Sequence, residues 1–263
     1  MTFDAHIVDA YIAGKEISES SNSSHWIYDA IEPGKNVFMI PDRNRITEVA
    51  HCLQQTMEVC RHFTFRNERL VHEVFANATK IKNQCEIIFV VGVPVMYDAM
   101  VREYEDVPYI IFNMMSFADY VARGHDLGDI VRNFLTHELI HLMIGAVYPA
   151  ESLNYRTYFE CVAFHEGFAH LLSYKENIGQ YIMGPEYQAR FEDARALLKA
   201  ALNETDPARQ AEYKTAANSG KYWDKFAAVA SMCYLMKNIS SLKCIYERGW
   251  QNYTDAVIAY IWE

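Results

Sequence analysis

Hydrophobic residues spaced three or four positions apart predict a series of helices along the chain. Between positions 44 and 63 this spacing sets five apolar residues on one side, which are Ile46, Val49, Leu53, Met57 and Cys60. That pattern is typical of a helix that buries a single face. Residues 68–81 predict a second helix of this type. The same argument predicts helices in the second half at residues 158–174, 185–203, 207–217, 222–238 and 253–262.

Shorter apolar runs predict a few β-strands in the first half. Residues 85–93 are dominated by β-branched and aromatic side chains, which is typical of a strand buried on both faces. Residues 107–113 predict a second strand, and Pro108 near its start favours an edge position. Residues 36–41 predict a short strand that ends at a proline. The charged segment 94–106 is predicted to be a link, and the serine-rich residues 18–24 a loop.

Together these elements predict an α+β fold that is mainly helical. A small sheet and a central helix occupy residues 1–147, and an all-helical lobe occupies residues 148–263. The length of 263 residues and the apolar content of 51% suffice for two such lobes that share a cleft. We expect the two lobes to form one functional unit.

The central helix carries the pattern His-Glu-x-x-His at His137, Glu138 and His141. We expect this helix to begin after a capping Asp126 or Asp129 and to end near residue 145, before Pro149. Its flanking residues are apolar nearly all round, which is typical of a buried helix; they are Phe134, Leu135, Leu139, Ile140, Leu142 and Met143.

The two histidines lie four residues apart and therefore on the same helix face. Imidazoles at this spacing can bind one metal ion, because Zn–N bonds are about 2.0–2.1 Å long. Glu138 lies about 100° round the helix, where its carboxylate can reach a water on that ion. The pattern predicts a Zn²⁺ site with His137 and His141 as ligands and Glu138 as general base. The alternative is a buried helix whose two histidines have hydrogen-bond partners other than a metal and whose glutamate has no catalytic role. The cost of burying an unpaired charge argues against this alternative.

Catalytic zinc usually has three protein ligands, so one more is needed. The candidates that follow the motif are Glu151, Glu160, His165, Glu166 and His170. Residues 164–170 are densest in ligand-forming side chains, and this favours Glu166. The small residues Gly167 and Ala169 would let its helix approach the motif helix closely.

The remaining candidates receive other roles. His170 lies one turn beyond Glu166, and we expect it to hydrogen-bond a ligand or the substrate. Its alternative role is that of a core histidine bonded to a backbone carbonyl. His165 points about 100° away from Glu166, and a core role is favoured for it. Glu160 is expected to be a solvated charge.

Composition excludes several classes of function. The net charge of −10 and the lack of a Lys/Arg-rich run argue against nucleic-acid binding. The sequence contains no run of about 18 apolar residues, so no membrane span is predicted. The first residues show no secretory signal, so we expect a cytoplasmic protein, with export by a route that needs no such signal as the alternative. Six cysteines, none in a Cys-x-x-Cys pair, are expected to be small core residues of a reduced protein. The oligomeric state is not specified.

The segment from residue 85 to residue 174 resembles the zincin superfamily. More narrowly, it is similar to the gluzincins, whose third ligand is a glutamate on a helix after His-Glu-x-x-His. Two strands, the motif helix and then Glu-Gly-x-Ala resemble the DUF2268-type predicted zinc-dependent proteases. The resemblance implies that His137, His141 and Glu166 bind Zn²⁺. It also implies a zincin-like fold and hydrolysis of a peptide or protein substrate, by Glu138-assisted attack of a zinc-bound water.

The chain also departs from this pattern. Thermolysin-like enzymes have an aspartate where this chain has His170, so the residues that support the ligands differ. Three tyrosines are candidates for stabilising the transition state, namely Tyr222, Tyr234 and Tyr246. The alternative for each is an aromatic residue of the core or surface with no catalytic role. We place Tyr234 with His170 among the residues that orient a ligand or the substrate. We expect substrate to pair with strand 107–113. The alternatives are hydrolysis of a non-peptide amide and a non-catalytic binding protein.

Overall fold

A computed structural model describes residues 1–17, 26–32, 34–149, 153–181 and 183–262. The predicted loop at residues 18–24 and the ligand candidate Glu151 lie outside these ranges. The fold is α+β and mainly helical, as predicted, with 63% helix and a small four-stranded sheet. Within the described ranges, no helix combines the length and the apolar character that crossing a membrane requires.

The elements of the described chain are as follows. The strands are β1 (Thr2–Asp4), β2 (Glu86–Val90), β3 (Ala99–Tyr104) and β4 (Val107–Asn113). The helices are α1 (His6–Ile12), α2 (Trp26–Ala30), α3 (Ile46–Arg61), α4 (Glu68–Val74), α5 (Ala78–Gln84), α6 (Met114–Ala122), α7 (Leu127–Gly145), α8 (Tyr155–Tyr174), α9 (Pro185–Leu202), α10 (Pro207–Asn218), α11 (Phe226–Lys237), α12 (Leu242–Arg248) and α13 (Tyr253–Ala259). Short 3₁₀ helices lie at Arg43–Arg45, Ile178–Gln180, Tyr222–Asp224 and Ile239–Ser241.

The chain divides into two compact units. The first comprises Met1–Phe65 and Thr79–Leu142, and the second comprises Arg66–Ala78 and Met143–Glu263. The first unit contains the sheet and most of α7, whereas α8 to α13 belong to the second. A segment from the first half of the sequence thus joins the helical unit.

The sheet of the first unit has the strand order β1-β2-β4-β3. β1, β2 and β4 are parallel, and β3 is antiparallel to β4. The predicted edge position of residues 107–113 is therefore wrong, because β4 is paired on both sides. The expected pairing of substrate with this strand fails for the same reason. The ladder between β2 and β4 begins at Tyr109, so Pro108 precedes it and removes no hydrogen bond from it.

β3 occupies the edge position beside β4, in the segment predicted to be a charged link. It joins β4 through a turn at Glu105 and Asp106, which both have positive φ angles of 51° and 61°. Left-handed conformations of this kind match the twist of two-residue hairpins. β3 loses burial towards Tyr104 and carries charges at Arg102 and Glu103, so it lacks the continuous apolar run of β2. This difference explains why the sequence pattern did not reveal it.

Two further predictions about the first half are corrected. Residues 36–41 form an irregular connection rather than a strand, and the Met39 N–H donates a hydrogen bond of 2.8 Å to the Gly92 carbonyl. Residues 68–81 form α4 and α5 instead of one helix. The break includes Phe75, whose backbone is extended and whose side chain is buried. Helices α1, α2, α6 and α12 were not predicted.

The second unit is built around α8, which packs against α10, α11 and α13. At Gly167 a Cβ would lie 1.8 Å from Ser231 Oγ, so this glycine allows the close approach of α8 and α11. Sequence reasoning assigned Gly167 to packing against the motif helix, whereas the close contact found at this glycine is with α11. The predicted helices of this unit are confirmed with some shifted ends. α8 begins three residues earlier than expected, α11 begins at Phe226 after the 3₁₀ helix Tyr222–Asp224, and α13 ends at Ala259.

Candidate functional site

The motif helix α7 begins where its sequence predicts. The Oδ1 of Asp126 accepts a hydrogen bond of 2.7 Å from the Asp129 N–H, which is the interaction of a capping aspartate. Leu135, Leu139 and Ile140 are fully buried, as expected for a helix with apolar residues nearly all round. Packing on several sides fixes the orientation of the polar residues between them.

His137 and His141 converge on one point beside α7. Their Nε2 atoms lie 3.0 Å apart, and their ring planes are inclined by 77°. Both residues are half-buried. The distance between the nitrogens is shorter than two Zn–N bonds of about 2.0–2.1 Å each, so one ion can contact both. The same distance also permits one ring to donate an Nε2–H hydrogen bond to the other.

Glu138 lies between these histidines in sequence but is more buried, with 5% of its surface exposed. Its charge interacts with Arg102 on β3. Burial lowers the pKa of the Arg102 guanidinium, and the negative charge of Glu138 opposes this effect. The general-base candidate therefore has a cationic group within electrostatic reach.

Arg102 itself is held rigidly in the first unit. Its guanidinium donates hydrogen bonds of 2.8, 2.7 and 2.8 Å to the carbonyls of Ala30, Val101 and Ile31. The bonds to Ala30 and Ile31 link the end of α2 to the edge strand. Sequence reasoning missed Arg102 as a site residue, because a lone arginine in a charged segment gives no signal of what it faces.

The second unit carries the other candidate ligands on α8. The helix begins after Asn154, whose Oδ1 accepts a hydrogen bond of 3.0 Å from the Thr157 N–H. One turn apart near its middle, Glu166 Oε2 and His170 Nε2 lie 3.3 Å from each other. The side chains of Glu166 and His170 are only 15% and 4% exposed. The two residues thus form a largely buried acid–imidazole pair.

The three candidate tyrosines have different surroundings within the second unit. The ring of Tyr222 lies 4.7 Å from that of His170, measured between centroids. Tyr234 packs on Tyr253 and Tyr260, with ring centroids 5.9 and 5.5 Å away. Tyr246 belongs to an aromatic cluster with Phe75, Phe164 and Phe168. Among these candidates, the described ring contacts place Tyr222 beside His170.

Two other ligand candidates on α8 are accounted for. Glu160 is 3% exposed and accepts a hydrogen bond of 3.2 Å from Arg156 Nε, so the expectation of a solvated charge is wrong. His165 is half-buried, and its ring lies 6.4 Å from that of Phe164. The helical spacing of His165 and Glu166 keeps these two side chains on different faces.

No protein-family model, no curated protein and no solved structure matches the chain.

Proposed function

We propose that this protein is a zinc-dependent peptidase in which His137, His141 and Glu166 bind the metal and Glu138 is the general base. The observation that carries the proposal is the distance of 3.0 Å between the two Nε2 atoms. Two neutral imidazoles and a carboxylate match the ligands that catalytic zinc prefers, and they leave a fourth position open.

The protein's own residues supply the proton transfers of the proposed reaction. When bound, Zn²⁺ supplies Lewis acidity that lowers the pKa of water to about 7 and polarises a carbonyl group. Glu138 accepts the proton of the water that attacks the peptide carbonyl. The same carboxyl group then gives this proton to the leaving amine. The low exposure of Glu138 keeps bulk water away from the carboxyl group during both transfers.

His170 supports the third ligand in this proposal. Its Nε2 is 3.3 Å from Glu166 Oε2, so the imidazole can orient the carboxylate towards the ion. Residues that orient a ligand typically affect metal affinity by about 10–100-fold. Loss of a direct ligand is expected to exceed that range.

Zinc content and zinc affinity test the ligand set. We expect about one zinc ion per chain in the wild type. His137→Ala, His141→Ala and Glu166→Ala should each lower the affinity more than His170→Ala does. His62→Ala is a matched control in the first unit, since the side chain of His62 is 74% exposed. If His170→Ala or His165→Ala removes zinc while Glu166→Ala retains it, the assignment of Glu166 is wrong.

Substrate class needs a separate experiment. We expect the zinc-loaded protein to cleave members of a broad peptide library, with new amino termini detected by mass spectrometry. A parallel set of non-peptide amides tests whether the amide bond alone suffices. Cleavage of these amides without any peptide cleavage would contradict the peptidase proposal. Tight zinc binding without turnover of either set would favour a binding protein.

A further inference from the structure

Tyr222 lies in the short 3₁₀ helix Tyr222–Asp224 and packs on two residues of α8. Its ring centroid is 4.7 Å from that of His170, with the planes inclined by 59°. The Tyr222 ring also stacks on the Tyr174 ring, with the centroids 5.7 Å apart and the planes inclined by 21°. Aromatic pairs at such distances restrict each other's orientation. Tyr222 thus limits the positions that the His170 imidazole can take.

The hydroxyl group of Tyr222 faces another partner. It donates a hydrogen bond of 3.2 Å to Met232 Sδ, a weak acceptor on α11. Burial also raises the pKa of this hydroxyl well above its ordinary value. The contact between Tyr222 and His170 is therefore one between rings.

His170 in turn faces Glu166 at 3.3 Å, with 4% of its side chain exposed. A histidine that contacts a ligating carboxylate controls the direction of that carboxylate. The contacts form a short series from Tyr222 through His170 to Glu166, and all three residues belong to the second unit.

We propose that Tyr222 is a positioning residue whose ring holds the His170 imidazole against the Glu166 carboxylate. The role in metal binding rests on the proposed function, since it requires Glu166 to be a ligand. The positioning of His170 does not, because it concerns the metal-free protein as well. Nothing in the sequence distinguishes Tyr222 from the other candidate tyrosines, since the contact depends on how the 3₁₀ helix packs on α8.

Nuclear magnetic resonance of the metal-free protein tests the positioning directly. With ¹⁵N-labelled histidine, the His170 ring signals are identified by their loss in His170→Asn. We expect Tyr222→Leu to shift or broaden these signals, and Tyr222→Phe to retain the wild-type signals because the ring remains. Tyr222→Met is a second variant without a ring, for use if Tyr222→Leu does not fold; its flexible side chain fills gaps well.

Zinc affinity is the second measurement. Tyr222→Leu should weaken zinc binding by about 10–100-fold, as loss of an orienting residue does, and Tyr222→Phe should restore the affinity. Tyr213→Leu is the matched control, because Tyr213 is a half-buried tyrosine of the same unit that packs on Phe226. It should change neither the His170 signals nor the zinc affinity.

Two results would overturn the positioning role. One is that Tyr222→Leu leaves the His170 signals of the folded protein unchanged. The other is that Tyr222→Phe disturbs them as strongly as Tyr222→Leu, which would assign the effect to the hydroxyl. Absence of zinc binding by the wild type would instead contradict the proposed function. The metal-free spectra would still decide whether Tyr222 positions His170.

Discussion

A Cβ atom at position 167 of α8 would lie 1.8 Å from the Oγ and 2.6 Å from the Cβ of Ser231 on α11. These separations are far below van der Waals contact, so the two helices meet where only glycine fits. The same turn of α8 carries Glu166, the proposed third ligand. Close packing at Gly167 therefore fixes the backbone next to this carboxylate.

Gly167→Ala should destabilise the protein. Overpacking in a buried contact costs about 1–3 kcal/mol, which exceeds the gain of about 0.5–1 kcal/mol from replacing glycine in a helix. Urea denaturation measures the change in the free energy of unfolding. Gly145→Ala is the control, because a Cβ there would have no neighbour within 4 Å. Ser231→Gly should recover part of the loss, and unchanged stability of Gly167→Ala would contradict the packing described.

The phenol of Tyr120 should make the protein less stable in alkali. Burial, the charge of Asp98 and a hydrogen bond of 3.0 Å to Asp98 Oδ2 raise the Tyr120 pKa from 10.0 to about 12. Above pH 10 the unfolded chain releases this proton while the folded protein keeps it. The contribution to stability is thus complete below pH 10 and is lost as the pH rises towards 12.

Denaturation midpoints across this pH range measure the effect. Tyr120→Phe should lower stability at neutral pH by about 0.5–1.5 kcal/mol, because the hydrogen bond to Asp98 is lost. Its stability should also fall less steeply between pH 10 and pH 12 than that of the wild type. Equal slopes for the two proteins would contradict the raised pKa of Tyr120.

Cys244 should be the one thiol that reacts rapidly in the folded protein. It is exposed, contrary to the expectation that all six cysteines lie in the core, whereas the other five are buried. Burial raises the pKa of Cys60 and Cys233 to about 12 and that of Cys85 and Cys161 to about 11, which suppresses the reactive thiolate.

A chromogenic disulfide reagent counts the reactive groups. We expect one fast thiol in the native protein and six in denaturant. Cys244→Ser should abolish the fast reaction without changing the melting temperature. A fast reaction that persists in Cys244→Ser would mean that a second thiol reaches solvent.

Local patterns predicted the helices that bury a single face and the strands with continuous apolar runs. The spacing of apolar residues revealed α3, and a capping aspartate with a following glycine and proline marked the ends of α7. Both features act between residues close in sequence. Helix spacing likewise sets His137 and His141 on one face, and the structure agrees, with their Nε2 atoms 3.0 Å apart.

Features that depend on distant packing were not predicted. The break between α4 and α5 contains no glycine or proline, and Phe75 at the break is buried with an extended backbone. The position of β4 inside the sheet depends on β3, which carries charges at Arg102 and Glu103 and lacks a continuous apolar run. Likewise, Arg102 and Tyr222 are ordinary residues in sequence. Only the tertiary structure gives Arg102 its charge interaction with Glu138 and Tyr222 its ring contact with His170.

The turnover of Glu138→Gln tests the central claim most directly. The substitution keeps the shape of the side chain but removes the base, so zinc content and melting temperature should match the wild type. Peptide hydrolysis should fall by about 10²-fold or more. His137→Ala should instead lose the metal, and Glu58→Gln is a control at an exposed position of the first unit. Wild-type turnover by zinc-loaded Glu138→Gln would contradict the account.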